Sequence, residues 1–316
     1  MAPVSPPRID WAPRDAGFVT SLQGALRIHA RDGAVAHELA TENVFDARWV
    51  GDTIVAVDDQ GTRIWNTDGV LLQRHVVTWQ RPLMAAALAP EGTRYVAIAP
   101  SVDFTILGNG IWQFDIDGAR EWTIETHEAG IPGTSGRWSI ATSAEAARVA
   151  VGYQTPESNG RGFVVIDRKT NAVVDRSWAK QNVVHVPGAP HLFAFDAEGK
   201  RVAQGVPELG EAPGVIRGGR GERDQRRPIG GTLSIALDRG GTLAAYGYRQ
   251  PLPGTRGRLR VDYLAPGVKG PPTVEVLDTQ SLDPALPDLV ALAFSPDSRS
   301  IACLASTGAI EVVPVP

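Results

Sequence analysis

One pattern recurs along this chain: a run rich in Val, Ile, Ala and aromatic residues, a short turn containing Pro, Gly or Asp, and a second such run. It stands as Trp11-Ala-Pro-Arg-Asp, Trp49-Val-Gly-Asp, Leu88-Ala-Pro-Glu-Gly, Ala141-Thr-Ser-Ala-Glu, Val186-Pro-Gly-Ala-Pro, Leu237-Asp-Arg-Gly-Gly and Phe294-Ser-Pro-Asp-Ser. Pro and Asp preset and cap such turns, while β-branched and aromatic residues suit the pleated, half-buried surfaces on either side. The turns are spaced from 38 residues (Pro13 to Gly51) to 58 residues (Asp238 to Pro296). A unit of that length cannot bury its own apolar face, so units repeated at this spacing must stack on one another.

A second signal follows in most units, where a β-rich run meets a tight turn: RIHARDGAV at 27–35, RIWNTDGVL at 63–71, WQFDIDGAR at 112–120, VVIDRKTNAVV at 164–174 and VEVLDTQSL at 274–282. Asp-Gly between such runs marks a hairpin, because both turn positions tolerate positive φ. These read as turns from a third strand to a fourth. No long amphipathic helical pattern competes, and 24 Pro with 34 Gly suit many short strands. The expectation is an all-β, seven-bladed β-propeller with four strands per blade and a last blade that lacks residues for its outer strand. It is read as one domain over 1–316, with blades near 8–40, 44–77, 83–126, 137–179, 182–217, 231–286 and 288–316.

The final unit, FSPDSRSIACLASTGAIEVVPV, resembles a WD40-like blade: a Ser-Pro-Asp turn, then a Gly-containing turn into a third strand. Asp115, Asp167 and Asp278 stand where that family often has the Asp of its Trp-Asp pair. The pair itself is absent, since Trp65 is followed by Asn66. The resemblance implies that the B-to-C and D-to-A loops open on one face of the ring, with strands lettered A to D from the axis outward.

Four longer stretches were placed on that face by this reading: 101–109, 154–162 and 249–272 between B and C of blades 3, 4 and 6, and 217–231 between D of blade 5 and A of blade 6. Long loops on a rigid scaffold are where binding concentrates. They carry the candidate partner-binding residues. Phe104 and Arg161 come from the first two stretches, with Tyr153 directly before the second. Arg217, Arg220, Arg223, Arg226 and Arg227 come from the Arg-rich stretch. Arg249, Arg256, Arg258 and Tyr263 come from the blade 6 insert, where Leu259, Val261 and Tyr263 alternate with polar residues as a protruding hairpin would. Guanidinium forks pair carboxylates bidentately, so the expected partner is another protein with an acidic surface.

The formal charge of −4 gives no global case for nucleic acid or an anionic membrane. Binding of RNA by the Arg-rich rim is a third reading, weakened by few aromatic residues for base stacking. A single cysteine, Cys303, excludes a disulfide framework and reads as core packing. Only four of the 31 cationic residues are Lys, a bias of GC-rich coding that points to a bacterium. The N-terminal MAPVSPPRIDW has no apolar signal stretch, and no apolar run is long enough to span a membrane. The reading is a cytoplasmic, monomeric, non-catalytic interaction scaffold with no cofactor, no metal and no catalytic residues. The alternative is a metal-dependent, lactonase-like hydrolase at the central channel, using Glu42, Asn43, Asp46, Asn182 and Asp288.

Overall fold

The computed structural model describes residues 6–13, 16–41, 43–79, 82–100, 109–132, 137–155, 160–180, 192–205, 213–217, 225–228, 232–248, 259–264, 274–277 and 288–315. The strands form up-and-down antiparallel sheets, one per repeat. The first holds β1 (Arg8–Trp11), β2 (Gly17–Leu22), β3 (Ala25–Ala30) and β4 (Val35–Leu39). The second holds β5 (Asp46–Val50), β6 (Thr53–Asp58), β7 (Gly61–Asn66) and β8 (Leu71–Val76). The third holds β9 (Ala85–Leu88), β10 (Arg94–Pro100), β11 (Asn109–Asp115) and β12 (Arg120–Glu125), and the fourth β13 (Arg137–Thr142), β14 (Arg148–Thr155), β15 (Gly160–Asp167) and β16 (Ala172–Lys180). The fifth holds β17 (Leu192–Phe195), β18 (Val202–Gly205), β19 (Pro213–Arg217) and β20 (Gln225–Pro228), and the sixth β21 (Thr232–Leu237), β22 (Leu243–Tyr248), β23 (Leu259–Tyr263) and β24 (Val274–Leu277). The last has three strands, β25 (Leu289–Phe294), β26 (Ser300–Ala305) and β27 (Ile310–Pro314).

The chain is therefore a β-propeller of four-stranded antiparallel blades. Six blades are complete rather than seven, and the last sheet stops at three strands among the described residues. The first strands touch in a closed cycle, β1 to β5, β9, β13, β17, β21, β25 and back to β1, so they surround the axis.

The turn between first and second strands explains the repeat. Its first residue donates its N–H to a carbonyl five residues on, as in Ala12 to Gly17, Ala89 to Arg94, Asp238 to Leu243 and Ser295 to Ser300. A residue with positive φ sits inside it, Gly92 at 67° and Gly241 at 64°, a conformation glycine adopts without strain. The third-to-fourth turns are closed by side chains. Asn66 Oδ1 accepts the Val70 N–H, and Asp115 Oδ1 accepts the Ala119 N–H, so these carboxylates and amides cap hairpins.

Blade 5 departs from expectation. Its first turn is not Val186-Pro-Gly-Ala-Pro, which lies outside the described residues, but Asp196 to Arg201. There the Asp196 N–H donates to the Arg201 carbonyl and Gly199 takes φ 66°. Phe195-Asp-Ala-Glu-Gly repeats the form of Leu88-Ala-Pro-Glu-Gly, and the Pro-rich segment upstream obscured it.

Apolar residues collect between blades rather than at the centre. Val19, Leu26 and Ile28 of blade 1 meet Ile54 and Trp65 of blade 2. Val96 and Ile98 of blade 3 meet Ile140 and Val149 of blade 4. Val261 of blade 6 meets Leu292, Ile301 and Cys303 of the last sheet. Second strands are consequently buried on both faces, while the outer strands β4 and β8 are largely exposed.

The ring closes through side chains. Ile9, Trp11 and Phe18 of blade 1 pack with Ala291, Ala302 and Leu304 of the last sheet. The Trp11 indole N–H donates to the Ala293 carbonyl at 2.9 Å, and its ring meets Phe18 edge-on at 4.7 Å. Among the described residues, no N-terminal strand completes the last sheet. Trp11→Phe removes the indole donor and part of the ring and should cost about 1 to 2 kcal/mol. Trp11→Ala also leaves a cavity in the seam, about 3 to 5 kcal/mol, both read by urea unfolding. Burial pushes the Cys303 thiol far above its ordinary value. Maleimide labelling of Cys303 should therefore be undetectable in the native protein and complete once it is unfolded.

Candidate functional site

Three regions have the placement of a functional site: the face where B-to-C and D-to-A connections open, a cleft and exposed rim on blades 1 and 2, and the central channel.

On the first, the strand ends place 101–108, 156–159, 206–212 and 249–258 between B and C of blades 3 to 6, whereas blades 1 and 2 use only Gln23-Gly24 and Asp59-Gln60 there. Two of the expected insertions divide differently. The stretch 249–272 contains β23, which is the third strand of blade 6 and not a protruding hairpin. It pairs with β22 and β24, and its Leu259 and Val261 are fully buried. The stretch 217–231 contains β20, the fourth strand of blade 5, which pairs with β19. Residues 218–224, between the third and fourth strands of blade 5, lie outside the described residues. QRRP carries no apolar pattern to reveal β20.

These shifts separate the candidate residues. Phe104, Arg220, Arg223, Arg249, Arg256 and Arg258 lie outside the described residues. Arg217 ends β19, Arg226 and Arg227 lie on β20 opposite Val215 and Gly214, and Tyr263 ends β23 opposite Leu243. Tyr153 and Arg161 come together at the top of blade 4, but they are only 4% and 5% exposed. The Tyr153 ring lies over Gly162, where a Cβ would come within 2.3 Å of its hydroxyl. Beside them the Gln154 Oε1, Trp138 Nε1 and Ser139 Oγ atoms are buried without a protein partner.

Blades 1 and 2 carry features that turn chemistry did not reveal. A polar cleft of about 490 Å³ is lined by Glu38, Thr41, Asn43, Asp59, Gln60 and Arg63, among others. At its base the buried Asp58 takes the Arg63 guanidinium at 2.6 Å and the Thr41 hydroxyl at 3.1 Å. Nearby, the outer strand β8 exposes Leu72 at 53% and Val76 at 62%, with Val70 and Leu71 beside them and Val35 on blade 1. Five of the seven large exposed apolar residues described are in this pair of blades.

At the axis, Arg8 of blade 1 reaches Asp46 of blade 2, with Nε to Oδ1 at 3.5 Å, and the Ile140 carbonyl of blade 4, with Nη2 at 3.5 Å. Blades 1 and 4 are not neighbours in the ring, so this side chain crosses the channel. Arg48 lies 3.5 Å from Asp46 Oδ2 and 3.9 Å from Asp10. The carboxylates take their closest bonds from backbone: Asp46 accepts the Ala47 N–H at 3.0 Å and the Leu88 N–H at 2.9 Å, and Asp10 accepts the Trp49 N–H at 2.9 Å. Of the lactonase-like set, Asp46 is engaged here and Asn43 donates to Asp59 in the exposed cleft, while Glu42 and Asn182 lie outside the described residues. Among the described residues, no three or more His, Cys, Asp or Glu side chains gather as a metal site, and no helix is long and apolar enough to cross a membrane.

Asp46→Asn would take from Arg8 its carboxylate and from Arg48 one of its two, and should destabilise the fold by about 3 kcal/mol. Burial pushes the Asp10 carboxyl above its ordinary value, against the pull of Arg48. The folded chain then holds this proton at pH values where the unfolded chain has released it, so Asp10 lowers stability as pH rises through that window. Asp10→Asn cannot ionise, and its stability relative to wild type should rise from about pH 4 to pH 7. Parallel pH profiles of the two proteins would contradict this.

No family model matches the chain, and no curated protein matches it. Among solved structures, a chain of Kuenenia stuttgartiensis hydrazine synthase is similar with a TM-score of 0.65 at 15% identity, covering 100% of this chain and 97% of that one. The β-propeller domain of Myceliophteria thermophila Cps50 (Swd1) is similar with a TM-score of 0.62 at 12% identity, covering 100% and 99%. Identities this low establish the fold, and the second neighbour is a WD40 propeller, in line with the resemblance of the last blade.

Proposed function

We propose that the whole chain, 1–316, acts as one WD40-like propeller domain, with β25–β27 as its seventh blade, and that it is a non-catalytic scaffold for another protein. The observation that carries this reading is the asymmetry of one face: the B-to-C connections run to 8, 7 and 10 residues on blades 3, 5 and 6, against two on blades 1 and 2 and four on blade 4 and the last sheet. Insertions confined to one sector of a rigid ring build a raised surface suited to a partner. WD40 propellers commonly serve protein binding, and the engaged state of Asp46 disfavours the hydrolase alternative. On this reading Arg249, Arg256 and Arg258 of the blade 6 connection, with Phe104 of blade 3, contact the partner. Tyr153 and Arg161 support the loop between them from below.

The test is affinity capture from native lysate with the intact chain and with variants shortened at 101–108 or 249–258. A protein retained by the intact chain and lost from both variants is the expected result. Equal capture by all three overturns the site assignment. Loss only from a Leu72→Asp, Val76→Asp variant would move the site to the exposed rim of blade 2.

A further inference from the structure

We propose that the axial channel binds a small oxyanion, a carboxylate or a phosphate, between the guanidinium groups of Arg8 and Arg48. A guanidinium offers five N–H donors in a planar fork, and a well-formed contact with a carboxylate is about 2.7 to 2.9 Å long. Neither arginine achieves one. Arg8 makes contacts of 3.5 Å to Asp46 and to the Ile140 carbonyl, and Arg48 makes contacts of 3.5 Å and 3.9 Å to Asp46 and Asp10. Among the described residues, neither Nε atom has a hydrogen-bond partner, although Arg8 Nε faces Asp46 Oδ1 at 3.5 Å. The two side chains are 26% and 25% exposed, and donors left over on such partly buried cations are satisfied by a ligand or water.

The two carboxylates do not use up this capacity, because backbone N–H groups hold them at 2.9 to 3.0 Å. Burial lowers the proton affinity of Arg8, whereas for Arg48 the cost of burial is outweighed by Asp46, Asp10 and Glu91, which raise it; burial raises that of Asp10, which lessens the charge opposing an anion. A cation is disfavoured by two guanidinium groups at one level of the channel. Size is limited as well, since Arg8 spans the axis from blade 1 to blade 4. A compact oxyanion that receives two forks matches the geometry; an extended ligand does not.

Calorimetric titration of the full chain with phosphate and, separately, with acetate at constant ionic strength distinguishes the two classes of oxyanion. One of them should bind with a stoichiometry of about one, and Arg48→Lys, which keeps the charge but removes the fork, should weaken it about tenfold or more. Heat from neither anion overturns the proposal, as does unchanged affinity in Arg48→Lys. If that variant does not fold, wild-type crystals soaked in selenate decide. Anomalous density between Arg8 and Arg48 upholds the site, and its absence there overturns it.

Discussion

Each blade of this propeller is buried on both faces, and the rest of the structure depends on that condition. An antiparallel sheet with one solvated face alternates apolar and polar residues. Here the neighbouring blade takes the place of solvent, and strands such as β10 and β26 are apolar almost throughout. Any blade left without a neighbour would expose such a surface, so the ring has to close. It does so at the seam of Trp11, Phe18, Ala291 and Leu304, by packing and one indole hydrogen bond rather than by a shared strand.

The axis presents the opposite problem. The first strands surround it in a closed cycle. Charge occupies the middle instead. Arg8 and Arg48 meet Asp46 and Asp10, and the carboxylates in turn accept backbone N–H groups of the next blade, Asp46 from Leu88 and Asp10 from Trp49. One network therefore ties together the inner strands of blades 1 to 4, and it leaves arginine donors turned toward the channel. Function at the rim and function at the axis would use different parts of the same ring, the first through loop length and the second through side-chain charge.

Much of the fold was legible because turn chemistry is local. The Pro, Asp and Gly residues that set positive φ or cap a hairpin act within five residues of themselves, so Leu88-Ala-Pro-Glu-Gly and Asp-Gly at 117–118 could be read directly. The reading failed where local signals were weak or misleading. Val186-Pro-Gly-Ala-Pro was a stronger turn pattern than Asp196-Ala-Glu-Gly, and the polar outer strand β20 looked like a loop. Leu259, Val261 and Tyr263 were recognised as a strand, but their place in blade 6 depended on which partners lay beside them.

The amino-acid sequence by itself determined the repeat, the all-β class and the propeller, because each follows from periodic apolar runs and short-range turn preferences. Tertiary structure decided which strand is third and which fourth, that Tyr153 and Arg161 are buried, and that Arg8 meets the Ile140 carbonyl 132 residues away. Those outcomes depend on how blades register around a closed ring. No local pattern encodes the convergence of side chains from non-neighbouring blades on a common axis.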